Sequence, residues 1–348
     1  MEMLWFWLTS VLVAIYVVMD GFDFGAGILH LFVAQTNEER REVLGAVGPL
    51  WDGNEVWLLA GGGTMFLAFP RVLGAGFSGF YLPLFLVLWF ILLRALSIEF
   101  RSHVNDGLWR HLWDTGFAVS SIVLPILFGA ALGNVLRGVP LDASGYFELP
   151  LWTSFRVGLW PGVLDWYTVL IGVFALVTVA AHGSLFLAWK TEGPVHERSV
   201  ALSLKLWTAV VVVWLVATVA SFVVTPALFG NLPKAPLAWL AMAIFLAGLV
   251  VVFLGVNQKK YLLAFLGSGA FILGILAATA ACVYPVMLKS TLNPSYNLTA
   301  FNSLAGRTGL NAATGWWFLA FVIVLGYYTY LFRVHRGKVK AASEGEGY

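Results

Sequence analysis

The chain has 348 residues, 60% of them hydrophobic and only 11% charged, with a mean hydropathy of +0.86 and a formal net charge of +2. So little polar surface at this length excludes a soluble domain and defines an integral membrane protein. The small, dispersed charge argues against a nucleic-acid partner, and the single cysteine, Cys282, excludes an intramolecular disulfide or a thiolate metal cage.

A helix needs roughly 20 apolar residues to cross the hydrocarbon layer. The hydropathy pattern predicts an all-α polytopic fold with nine transmembrane helices, near residues 4–24, 48–69, 72–97, 116–136, 163–189, 205–228, 237–256, 261–288 and 313–332. The first run has no basic n-region and no small-residue cleavage site, and it leads straight into "DGFDFGAG", so it reads as a retained span. Connections are short except 137–162 and 289–312, both rich in Gly, Pro, Asn and Ser. Residues 1–340 therefore read as a single transmembrane domain, with a cytoplasmic tail over 341–348.

Lys and Arg near span ends stay on the cytoplasmic side. Alternate loops separate the 20 basic residues unevenly: Arg71, Arg137, Arg156, Lys234, Lys289 and Arg307 fall on one side and all the others on the opposite side. The expectation is an N-terminus outside and a C-terminus in the cytoplasm. Tryptophans near the span ends, among them Trp5, Trp109, Trp160, Trp207 and Trp316, read as an interfacial belt.

Ionisable residues inside spans are costly, about 3 kcal/mol each on insertion scales, and so mark candidate functional positions. They concentrate in the first half of the chain: Asp20 and Asp23 on the first span, Asp52 and Glu55 on the second, Arg94 and Glu99 at the end of the third. Asp20 lies about 24 Å along its helix, and Asp52 about one turn into the next, so both pairs approach the same membrane face. Each pair is spaced i, i+3 and shares one helix face, with Gly27 continuing the first. Two readings stand. The acids cap helix ends or pair with Arg94 and Arg101, or they relay protons from the cytoplasm.

His103, His111, His196 and His335 fall in loops or the tail, and His30 follows the first span. Only His182 is mid-span, where a hydrogen bond to a neighbouring helix is the simpler role. No second inward histidine at matching depth completes a bis-histidine haem site. Gly61, Gly62 and Gly63 read as a close-packing surface, with a helix break as the alternative.

At "MDGFDFGAGIL", "GPLWDGNEVWLLAGGGTMFLAFP", "FSGFYLPL", "LLRALSIEFR", "LPILFGAALGNVLRGVPLD" and "STLNPSYNLTAFN" the sequence resembles subunit II of the cytochrome bd-type quinol oxidases, over nearly all of the chain. The resemblance implies a respiratory complex that oxidises quinol and reduces O2 to water. Its haem-bearing partner, subunit I, would carry haems b558, b595 and d and the quinol site; no haem or metal would be ligated by this chain. A small single-helix accessory subunit, membrane lipid and quinone complete the implied partners, and the bacterial or archaeal plasma membrane is the implied location. By resemblance, Asp52 of "WDGN" matches an acid on a cytoplasmic proton route toward haem d, Asp20 an acid beside it, and Trp57 a tryptophan on a lateral O2 route. Glu55 stands where some relatives have glutamine and receives no role from the likeness, although as an intramembrane acid it remains, with Asp23, a candidate for the proton pathway.

The competing reading is a proton-coupled secondary transporter. Such proteins place their acids near the midplane between internal repeats. Here the acids lie to one side and no convincing repeat is present. A purely structural scaffold leaves Asp20 and Asp52 without a reason.

Overall fold

A computed structural model describes residues 1–339; Lys340 and the tail expected over 341–348 lie outside the described residues. The chain runs through α1 (Glu2–Val33), α2 (Asn37–Val47), α3 (Trp51–Ala68), α4 (Pro70–Gly79), α5 (Tyr81–Phe100), α6 (Gly107–Arg137), α7 (Trp166–Lys190), α8 (Gly193–Val224), α9 (Pro226–Asn231), α10 (Pro236–Asn257), α11 (Tyr261–Val283) and α12 (Arg307–Val334). Among the described residues eight helices are long and apolar enough to cross a membrane, and the bent pair α3–α4 makes a ninth if it counts as one span.

The expected third span, 72–97, is divided at Phe80 (φ −101°, ψ 28°) into α4 and α5, and the bend lies just before it. Phe69 leaves helical geometry (φ −132°, ψ 57°), and α4 departs from α3 at 119°. The cause is Pro70, whose ring disfavours helical torsions in the residue before it and then starts a new helix at N1. The membrane-crossing part of the predicted span is therefore α5 alone. The glycines do not break α3, which is continuous from Trp51 to Ala68.

Other boundaries also move. α1 runs on to Val33, so Asp20, Asp23, Gly27 and His30 all lie within it. α2, unanticipated, is a short helix begun by a capping box in which Thr36 and Glu39 satisfy each other's backbone N–H groups. The expected 261–288 span stops at Val283, and Val286–Leu288 pairs instead as β1 with β2 (Leu298–Thr299), antiparallel, Val286 opposite Thr299.

α1 is the axis of the bundle. α3 runs antiparallel along it, with Asn54 beside Asp23, Gly61 against Val13, and Ala68 in one apolar cluster with Trp5. α7 meets α1 backbone to backbone: a Cβ on Gly25 would fall on Gly183, and one on Gly183 would fall on Gly25. Without a hydrophobic drive between helices in lipid, such close approach supplies the packing energy. The two ends of the bundle are tied separately. Glu2 pairs with Arg307 at one end, 2.9 Å. At the other, Val339 N–H donates to Lys190 O (2.8 Å) and Lys190 Nζ donates to His335 O (2.5 Å).

α12 stands apart from this frame. It touches α3 mainly through rings, Trp57 lying 5.5 Å from Tyr328 and 6.3 Å from Phe321. Its other face exposes Trp316, Val322, Ile323 and Tyr330. The tryptophan belt is only partly seen: Trp160 and Trp316 are exposed, but Trp5 and Trp207 are fully buried, and Trp207 donates to Ala181 O.

Gly183→Leu is expected to destabilise the folded chain by about 1–3 kcal/mol, because the side chain has only α1 backbone to enter. Gly62→Leu, facing no atom of this chain within 4 Å, serves as the control. Thermal unfolding in detergent compares them, and equal midpoints for the two variants would contradict this packing.

Candidate functional site: a carboxylate cluster on one guanidinium

The i, i+3 spacing of Asp20 and Asp23 turns both toward α3 and α5, and both are fully buried. Arg94 reaches them from α5, also fully buried. It grips Asp20 with both terminal nitrogens, 2.5 and 3.0 Å, and donates from Nη2 to Glu55 Oε2 at 2.9 Å. Phe24 covers the guanidinium, its ring centre 4.3 Å away. Asp23 takes no share of Arg94; its Oδ2 accepts from Asn54 Nδ2 at 2.7 Å, and its Oδ1 has no partner, nor do Asn54 Oδ1 and the Tyr16 hydroxyl.

Charge counting gives the cluster its character. Three carboxylates, Asp20, Asp23 and Glu55, face one guanidinium among the hydrogen-bonded groups of the cluster. Arg94 neutralises one. A buried charge without a counter-charge is far costlier than a protonated carboxyl, so the group comes close to neutral only by holding protons. Its unpartnered oxygens are positions for water or for a shared proton.

Asp52 lies elsewhere. It is exposed in the first turn of α3, where the helix dipole favours an acid, and its side chain makes no capping bond. The two i, i+3 residues on α3 thus part company: Glu55 joins the buried cluster and Asp52 faces outward. Trp57 is buried on the side of α3 that meets α12, where the Tyr328 hydroxyl donates to Gly53 O.

Of the four glycines expected at packing surfaces, Gly27 meets α6 closely, since a Cβ there would fall on Ser121. Gly61 lies against Val13, a Cβ sitting 3.4 Å from its Cγ2. Gly62 and Gly63 have nothing of this chain within 4 Å, so a packing role inside the chain does not hold for them.

A second buried node escaped the sequence reading. Asp114 on α6 accepts from His30 Nε2 (2.7 Å), Arg40 Nη1 (2.8 Å) and Arg101 Nε (2.6 Å), joining the ends of α1, α2 and α5. The signal is indirect: Asp114 falls two residues before the expected 116–136 span, but α6 begins at Gly107 and carries it two turns into the helix, at the membrane face that Arg101 and His30 also reach. Arg94 carried a plainer signal as the one basic residue deep in the α5 run.

The two buried histidines are committed to hydrogen bonds. His182 has both nitrogens engaged, Nδ1 with Ser268 Oγ at 2.6 Å and Nε2 with Val18 O at 3.1 Å, and His30 holds Asp114. Among the described residues no three His, Cys, Asp or Glu side chains gather in a metal-binding group.

The family model described as cytochrome bd terminal oxidase subunit II matches residues 1–335. The chain belongs to that family. It is similar to the cytochrome bd-I ubiquinol oxidase subunit 2 of Escherichia coli K12, 28% identical over 94% of this chain and 92% of the relative. It is also similar to the cytochrome bd ubiquinol oxidase subunit 2 of Bacillus subtilis, 30% identical over 95% and 96%. The fold matches a solved chain of the bd oxidase from Geobacillus thermodenitrificans, with a TM-score of 0.74 at 15% identity, covering 96% of this chain and 98% of that one. As a cytochrome bd subunit II the chain works in a terminal oxidase beside a subunit I, and the buried cluster is the feature of it with chemistry to offer that complex.

Removing Arg94 strands two carboxylates. Arg94→Leu is expected to cost about 3–5 kcal/mol and to lower the yield of folded protein. Adding Asp20→Asn and Glu55→Gln to the same chain removes the stranded charges and is expected to recover most of the yield. Size-exclusion profiles of the detergent-solubilised variants report it; a triple variant as poor as the single one would show that charge balance is not what holds this site.

Proposed function

We propose that this chain is one nine-span membrane domain over 1–340, N-terminus outside and C-terminus cytoplasmic, that serves a quinol-oxidising, O2-reducing complex of a bacterial or archaeal plasma membrane by delivering protons and admitting O2. The uneven split of basic residues between the two ends of the bundle supports the orientation. The names of the relatives support quinol as the reductant. Haems b558, b595 and d, held by subunit I, supply the oxygen chemistry. The two buried histidines, His182 and His30, are committed to partners within this chain.

The observation that carries the proton role is the sharing of one buried guanidinium by several carboxylates, directly beneath an exposed acid. Asp52 is exposed in the first turn of α3, the end that the proposed orientation puts at the cytoplasm. One helical turn further, about 5 Å, Glu55 begins the buried set. Arg94 bridges Glu55 to Asp20, and Asp23 follows on the same face of α1. A proton arriving at Glu55 or Asp20 relieves negative charge beside Arg94, and a proton leaving restores it, so the cluster changes state without an isolated charge in the membrane. The gas route is kept apart. On an ideal helix Trp57 points about 140° away from Asp52, and its ring lies among Phe321 and Tyr328 of α12.

Asp52→Asn is expected to leave assembly and the partner's haems intact, since Asn is nearly isosteric, and to slow O2 consumption per haem d in the purified complex. Turnover per haem d equal to wild type would leave Asp52 as an acid at a helix start and nothing more. For O2 access, Trp57→Ala is expected to change the dependence of rate on O2 more than its dependence on quinol. An oxygen-electrode titration showing only a weaker quinol dependence would remove that role.

A further inference from the structure

Between α8 and the α10–α11 hairpin the bundle is open. A cavity of about 200 Å³ is walled by Trp214, Ala217 and Ser221 of α8, Phe245 of α10, and Thr279 and Cys282 of α11. It meets a second cavity of about 170 Å³ at Leu136, Leu228 and Cys282, and this one reaches Asn231, Lys289 and Asn297. Along α8 the two together extend from Trp214 to Thr225, about 16 Å. On either side Val219 and Phe222 of α8 and Leu240 and Ile244 of α10 are exposed, as on a lipid-facing surface.

Along the shaft the hydroxyls of Thr218, Thr279 and Ser221 are engaged. Thr218 Oγ1 donates to Trp214 O and Thr279 Oγ1 to Ile275 O, both at 2.8 Å, while Ser221 Oγ and the Tyr167 hydroxyl share a bond of 2.9 Å. A file of water or a polar ligand would find no partner along the shaft, and an apolar chain fits it. The mouth is different. The Lys289 backbone oxygen accepts from Val139 N–H at 2.9 Å, but its ammonium makes no hydrogen bond or ion pair with the described residues, and its stem lies beside Gly138, where a Cβ would sit 3.4 Å from Lys289 Cγ. Asn231 is engaged with Cys282 O, and exposed Lys234 follows it by three residues. A cation sits at the depth of the headgroups over a shaft at the depth of the hydrocarbon.

We propose that this cleft holds one acyl chain of an anionic phospholipid, with its phosphate against Lys289, wedged between α8 and α10. The occupant is a lipid because the shaft opens along the bilayer, and an anionic one because the charge at the mouth is positive and without a partner among the described residues. The site is independent of the carboxylate cluster and of the proton role proposed for it.

Cys282 reports on the cleft directly, being the single cysteine of the chain and a wall residue of both cavities. The test uses the two-subunit complex, stripped of lipid in detergent, with N-ethylmaleimide alkylation of Cys282 followed chain by chain in the mass spectrometer. Phosphatidylglycerol at about four times its Kd is expected to slow alkylation about fivefold. Phosphatidylcholine with the same chains should protect far less, and glycerol 3-phosphate not at all. Lys289→Ala is expected to bring phosphatidylglycerol down to the phosphatidylcholine level. Because a thiol in a wall can react too slowly to follow, native mass spectrometry gives a second reading: Ala217→Phe, which fills the shaft, is expected to retain less phosphatidylglycerol than the wild type. Alkylation indifferent to phosphatidylglycerol, equal retention by the filled variant, or protection only by a neutral isoprenoid lipid would each overturn the proposal.

Discussion

The site depends on a single guanidinium. Arg94 is fully buried, grips Asp20 with both arms and still reaches Glu55, so three helices, α1, α3 and α5, converge on one cation. In water such a network is worth little; in a bundle surrounded by hydrocarbon, each partner makes the burial of the other tolerable. The geometry of α3 follows from this. Its short length, about 27 Å for 18 residues, is enough to carry Glu55 to Arg94 at one end and to bring Ala68 beside Trp5 at the other. The chain then turns at Phe69–Pro70 instead of continuing outward.

The backbone contacts serve the same convergence from the other side. Gly25 lies between Asp23 and Gly27 on α1 and brings α7 against the face opposite the acids, and Gly27 lets α6 close over the next turn. With α7 in place, His182 is locked by Ser268 and Val18 and stacks on Phe265, 4.7 Å between centres. The interior on that side is aromatic and dry. The carboxylate cluster lies in the seam between α1, α3, α5 and α6, where the Asp114 node anchors the helix ends that hold Arg94 in register, while a separate buried pair, Arg137 with Asp165, ties α6 to the start of α7.

Much of this was legible before any coordinates. Hydropathy runs of the right length reveal the spans, and the rarity of acids in hydrocarbon singles out Asp20, Asp23 and Glu55. What the sequence left hidden is pairing across helices. Spacing shows that Asp52 and Glu55 are neighbours on one helix, but not that a 60° difference in direction sends one to water and the other to Arg94. Nor does a run of three glycines say which of them meets another helix; only Gly61 does within this chain. Pro70 marks the boundary between two expected spans, but composition does not say that the chain turns by 119° there or that the next helix breaks again at Phe80. Asp114 is hidden because hydropathy starts its span at 116, two residues beyond it, whereas the helix itself begins at Gly107.

The two halves of the chain divide the work on physical grounds. In α1 to α6 polar groups hold the helices together, and such groups can change protonation state. From α7 onward glycine contacts and rings take over, and α10 and α11 pack so closely that a Cβ on Gly248 would fall against the backbone near Gly267 and Phe271. α12 belongs to neither half. Resting on α3 through Trp57, Phe321 and Tyr328, it shields the wall behind the cluster while leaving a broad apolar face outward. A helix so weakly held by its own chain is stable in the membrane only with lipid or another subunit against that face, which ties the environment of Trp57 to the assembly of the complex.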